Sequence, residues 1–128
     1  MFSPATTPPI RVLIVDADRR VRDSLCDLIE CDAALEAVAA VGSADEAARS
    51  AADLQPDVVV IDPALPEVAT GAGLLGRLRA AVPSTRLLVM SWSPEAGGVL
   101  DAADGLIDKN ASPEALVAAI AASVARQS

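Results

Sequence analysis

Five short apolar runs rich in Val, Ile and Leu, each bounded by polar residues, limit how this chain can fold. They are "RVLIVD", "LEAVAAV", "DVVVID", "TRLLVMS" and "DGLIDK", beginning at Arg11, Leu35, Asp57, Thr85 and Asp104. Between them lie segments whose apolar residues recur at helical spacing. The third run is apolar without a break, as expected of a strand covered on both faces. Strands joined by helical crossovers of this length run parallel, with helices on both sides of one sheet. The pattern predicts an α/β fold with a doubly wound, five-stranded parallel sheet.

The punctuation agrees. "DRRVRDSLCDLIEC" puts Val21, Leu25, Leu28 and Ile29 on one helical face. "SADEAARSAADL" opens with Ser43 three residues before Glu46, a capping box, and Gln55-Pro56 breaks it. "LLGRLRAAV" is cut by Pro83, with Arg77 and Arg79 read as solvated positions. "SPEAGGVLDAA" predicts a short fourth helix weakened by Gly97 and Gly98. "SPEALVAAIAASVARQ" starts a fifth, with Ser112 as N-cap and Pro113 at the first helical position. Residues 1–9, "MFSPATTPP", read as a disordered N-terminal arm, and residues 10–128 as one domain.

Phe2 and Trp92 are the only aromatic residues, although 52% of the chain is hydrophobic, so the core must be aliphatic. A formal net charge of −8 argues against direct nucleic acid binding by this segment, because phosphate contacts need a basic surface. A divalent metal or a basic partner suits it better. No apolar stretch reaches the roughly 18–20 residues of a membrane span, and no signal peptide is evident. The expectation is a cytoplasmic module with no membrane contact. Cys26 and Cys31 fall about 140° apart around one helix, so they cannot pair, and they read as two buried thiols.

Polar residues collect where such a sheet presents its ligands, at the carboxyl ends of strands. Asp16 and Asp18 follow the first strand, Asp62 the third, Ser91 ends the fourth and Lys109 follows the fifth. Carboxylates offer hard oxygen ligands to Mg²⁺, and a carboxylate can be the nucleophile that forms an aspartyl-phosphate. An ammonium and a hydroxyl can hold phosphate oxygens. Phosphoryl transfer to an aspartate uses all of these groups.

With these residues in this order, the chain resembles the receiver domain of bacterial two-component response regulators over residues 10–126. "LIVDAD" resembles the family's acidic pair, and "PDVVVIDPALPEVATG" its phospho-acceptor segment, with Pro66 and Gly71 in their usual places. "LLVMSWS" resembles the strand ending in the switch Ser/Thr, and "AADGLIDKNASPEALVAAI" the lysine segment and last helix. The resemblance implies a flavodoxin-like (βα)5 fold with strand order 2-1-3-4-5. It also implies Asp62 as phospho-acceptor, assisted by Lys109 and Ser91, and Mg²⁺ on Asp16 and Asp62. The "KNASPE" form is closest to regulators with a helix-turn-helix DNA-binding output.

The departures carry as much weight. Ala17 stands where the second acid, a direct metal ligand, belongs. Asp18 could take its place as a ligand, or serve the helix N-terminus, where its charge suits the dipole. Trp92 follows the switch serine, as a core filler or as an exposed anchor. Leu106 occupies the place of a switching aromatic, and Asn110 replaces the proline that often follows the lysine.

The expectation is a degenerate receiver that is not an enzyme, with Mg²⁺ binding weak or absent. It would act by protein contacts to control an output, with transcription the favoured one. A histidine kinase or other phosphodonor would feed it. An output domain or a second copy would bind the face of helix four, strand five and helix five. The alternative is a haloacid-dehalogenase-type phosphatase with Asp16 as nucleophile and Asp18 as general acid. Arg20, the short chain and the unused Asp62 count against it. A nucleotide-binding Rossmann module fits less well, because no G-x-G-x-x-G follows the first strand.

Overall fold

The computed structural model describes residues 8–62, 65, 73–91, 103–108 and 110–125. The strands are β1 (Ile10–Val15), β2 (Leu35–Val41), β3 (Val58–Ile61), β4 (Arg86–Ser91) and β5 (Gly105–Asp108). The helices are α1 (Arg19–Glu30), α2 (Ala44–Leu54), α3 (Gly73–Ala81) and α4 (Pro113–Ala125). All strand pairs are parallel, in the order β2-β1-β3-β4-β5. The flavodoxin-like sheet expected from the sequence is present. Residues 93–102 of the expected fourth helix lie outside the described residues, as does the arm up to residue 7.

Alternation along each strand decides which helices it meets. Val12, Ile14, Val58, Val60, Leu88, Met90 and Ile107 pack beneath α1 and α4, against Leu25, Ile29, Leu116 and Ile120. Leu13, Val15, Val59, Ile61, Leu87 and Val89 point the other way, onto Ala47 and Ala51 of α2 and Leu74, Leu75 and Leu78 of α3. With both faces covered, no strand position from Val58 to Ile61 is left for a polar side chain. Polar groups therefore appear only at the strand ends.

Helix ends follow their local chemistry. Ser43 Oγ accepts from the Glu46 N–H at 3.3 Å, while the Glu46 carboxylate accepts from the N–H of Gly42 rather than that of Ser43. Gln55 closes α2 in the left-handed region at φ 49°, and Pro56 follows. Ser112 Oγ accepts from the Ala115 N–H at 3.2 Å, starting α4. Helix α1 stops at Glu30, so Cys31 falls on its cap and is exposed, and Cys26 is half-buried. The expectation of two buried thiols is corrected on this point. Partial burial, then Asp23, Asp27 and Glu30, push the Cys26 thiol above its usual pKa.

The amino end of the sheet is laced by side chains. Arg11 N–H donates to the Asp57 carboxylate at 2.9 Å, and Asp57 N–H donates back to Arg11 O at 2.9 Å. Arg11 Nη1 also reaches Leu54 O, at 2.6 Å. The buried Thr85 hydroxyl donates to Pro56 O at 2.6 Å. Asp104 accepts from Leu87 N–H and from Arg79 Nη2, both at 2.8 Å, with Arg86 Nη1 at 3.7 Å. Arg79 is thus a clasp between α3 and the approach to β5 rather than a solvated position. Arg77 remains largely exposed, 3.2 Å from Asp45.

Candidate functional site

At the carboxyl end of the sheet, Val15 and Ile61 stand opposite each other in register, and the next residue on each strand is an acid. Asp62 N–H donates to Val15 O at 2.9 Å, and Asp16 N–H to Val41 O at 3.1 Å. The ladder therefore carries on one step past the apolar run and holds both acids by their backbones. Asp16 is 1% exposed and Asp62 7%, so two carboxylates are buried on strands only about 5 Å apart. A cation that comes between two such oxygens makes close contacts that solvent screens little.

The turn after β1 is tightly specified. Asp16 Oδ1 accepts from the Asp18 N–H at 2.8 Å. Asp18 is the N-cap of α1, and its Oδ1 accepts from the Arg20 N–H at 2.9 Å. Its exposed carboxylate thus serves the helix end, where negative charge is favoured. Ala17 contributes no polar side chain between the two. Ser91 ends β4 in register with Asp108 of β5. Lys109, next along the chain, lies outside the described residues, as do Pro66, Gly71 and Trp92.

Sequence reasoning missed one cation here. Arg22 Nη1 donates to the carbonyl oxygens of Asp16, at 2.7 Å, and Ala17, at 3.3 Å. A usable signal existed, because long helical side chains lean toward the N-terminus and Arg22 sits in the first turn. Its close approach to Gly42 could not be read from the sequence.

Among the described residues, no three His, Cys, Asp or Glu side chains converge as a metal-binding group. Two buried carboxylates do fit Mg²⁺, which is commonly held by one or two carboxylates and otherwise keeps waters or phosphate oxygens. Asp16 and Asp62 would hold it, with Asp18 committed to the helix cap. No helix among the described residues is long and apolar enough to cross a membrane.

The family model for the response regulator receiver domain matches residues 12–121. A protein-glutamate methylesterase/protein-glutamine glutaminase 2 of Anaeromyxobacter dehalogenans is 34% identical over 108 residues, 84% of this chain and 31% of that protein. The DNA-binding transcriptional activator DevR/DosR of Mycobacterium tuberculosis is 33% identical over 93 residues, 73% of this chain and 42% of that protein. The chain thus spans about a third to two fifths of these two curated relatives. The signal receiver domain of the response regulator NarL from Mycobacterium tuberculosis superposes with a TM-score of 0.83 at 20% identity. That match covers 93% of this chain and 98% of that one, and it bears on the fold alone. A LuxR-family two-component response regulator from Aurantimonas sp. gives 0.80 at 29% identity, over 92% and 86% of the two chains. The haloacid-dehalogenase alternative finds no support in these comparisons.

Proposed function

The chain belongs to the response regulator receiver family, and from that premise we propose that it signals through protein contacts around a reduced phosphorylation pocket. One observation carries this reading. Between a buried Asp16 and an Asp18 occupied as N-cap stands Ala17, which has no side-chain oxygen to offer. Asp62 remains the candidate phospho-acceptor, with Lys109 and Ser91 its candidate assistants. Bound Mg²⁺ would neutralise charge on the transferring phosphoryl group, and two carboxylates hold it less firmly than three. The domain itself is read as non-enzymatic, although some relatives are named as methylesterases.

Its output would lie in another domain or in a second copy of the chain. The likeness to DevR/DosR and the LuxR-family regulator supports transcriptional control. The docking face is read as β5 and α4 with the expected fourth-helix segment that precedes β5. Residues 115–125 carry no charge, and Ala115, Ala118 and Ala122 are exposed. A cleft of about 240 Å³ beside them is lined by Leu88, Leu106, Ala119 and Ala122, together with the charged Arg86 and Asp104. An uncharged helix this bare outside its buried stripe is suited to close approach by a partner.

The test pairs intact mass after acetyl phosphate and Mg²⁺ with sedimentation of the same samples. Little phosphorylated product is expected, and association should be weakened by Ala122→Glu but not by Asp62→Asn. Ala122 is the better site than Ala119, which is half-buried against the core. Full phosphorylation, with association that follows it, would make this an ordinary phosphorylation switch.

A further inference from the structure

The guanidinium of Arg22 is placed with unusual economy. It leaves the first turn of α1, returns over the β1–α1 turn, and bonds two successive carbonyl groups, those of Asp16 and Ala17. The space it crosses belongs to Gly42, the first residue after β2. A Cβ built on Gly42 would lie 2.7 Å from Arg22 Nη1 and 3.4 Å from Arg22 Cζ. Its backbone does not lie in the left-handed region, so room is what the glycine provides. Three elements therefore converge on one turn: β1, the start of α1 and the end of β2.

The consequence falls on Asp16. Its N–H is tied to Val41 O, its carbonyl to Arg22, and its Oδ1 to the Asp18 N–H. With main chain and side chain both fixed, the carboxylate cannot swing to suit a ligand. Ala17 adds no side-chain bond of its own, so the order of this turn comes from those three contacts.

We propose that Arg22 is the positioning residue of the acidic pocket, fixing the Asp16–Ala17 main chain through the space that Gly42 keeps open. The Asp16 carboxylate is thereby presented to Mg²⁺ in one orientation. This rests on the pocket reading above. Gly42→Ala disturbs the contact from a different element; its only tight contacts are with the flexible end of Arg22, with Asp16 O at an ordinary 3.8 Å, so the fold should tolerate it.

The experiment is a double-mutant cycle on the full chain, carrying Ala17→Asp so that Mg²⁺ affinity is measurable by calorimetry. Arg22→Gln and Gly42→Ala should each weaken Mg²⁺ about tenfold, the size expected for loss of a charge-assisted hydrogen bond. The double variant should be no weaker than either single one. Effects that multiply, or an Arg22→Gln protein with unchanged affinity, would overturn the proposal. Hydrogen exchange of the Asp18 amide is the second readout, and it needs no metal. It should quicken in both single variants by a similar factor, without further increase in the double. If the Ala17→Asp protein binds no Mg²⁺, the pocket reading fails by itself, and unchanged Asp18 exchange then sinks the Arg22 assignment separately.

Discussion

At the amino end of the sheet, Asp57 and Asp104 accept backbone N–H groups, and Asp104 also meets two guanidinium groups. At the carboxyl end, Asp16 and Asp62 are buried side by side on neighbouring strands. The same side chain is used for adhesion in one place and, on the proposed reading, held for chemistry in the other. Asp104 is partly open to solvent and bonded in several directions; the two pocket acids are nearly sealed from solvent beside a like charge.

The largest expected effect tests that contrast directly. Asp104→Ala removes the acceptor for Leu87 N–H and leaves Arg79 and Arg86 without their shared carboxylate, so it should destabilise by about 2–3 kcal/mol. Asp62→Asn should change stability by less than about 1 kcal/mol, because removing one of two buried like charges offsets the bonds it disturbs. Urea unfolding of the two variants compares the ends. Equal destabilisation would mean that the pocket acids are structural as well.

The next effect is on metal affinity. Ala17→Asp restores an oxygen ligand beside Asp16, and a charge-assisted contact in a partly desolvated pocket should strengthen Mg²⁺ binding by about 1–3 kcal/mol. Calorimetric titration of the two proteins reads this. Equal affinity would show that another oxygen already fills the place, and the two ends would differ less than the missing acid suggests.

The sequence made the sheet legible because each strand is covered on both faces, which leaves unbroken runs of Val, Leu and Ile. Strand β2 was found from Leu35 to Val41, as observed, although it is Ala-rich and only partly buried. The positions of Asp16 and Asp62 were legible for the same reason, since each stops such a run. Their chemistry remains a proposal. What could not be read was set by approach in three dimensions. Arg79 meets Asp104 across the α3–β5 gap, and Arg22 reaches the Asp16 carbonyl over Gly42. No periodicity carries information of that kind. Cys31 was misread because its exposure depends on α1 ending one residue earlier.

The smallest effect concerns strain at the amino end. Gln55 holds φ 49° at the cap of α2, a region that costs a residue with a Cβ about 1–2 kcal/mol relative to glycine. Gln55→Gly relieves that strain but adds freedom to the unfolded chain and loses the exposed bond from Gln55 Nε2 to Ala52 O. The balance should be a gain of about 0.5 kcal/mol, seen as a higher urea midpoint at unchanged slope. The more informative reading is on the metal. Gln55 O accepts from Arg11 Nη1, and Arg11 lies in β1, the strand that leads into Asp16. If adhesion and chemistry are separate, Mg²⁺ affinity in the Ala17→Asp background should not move when Gln55 becomes glycine. A shift of threefold or more would mean that β1 transmits strain along its length, and the two ends would then have to be treated as one coupled device.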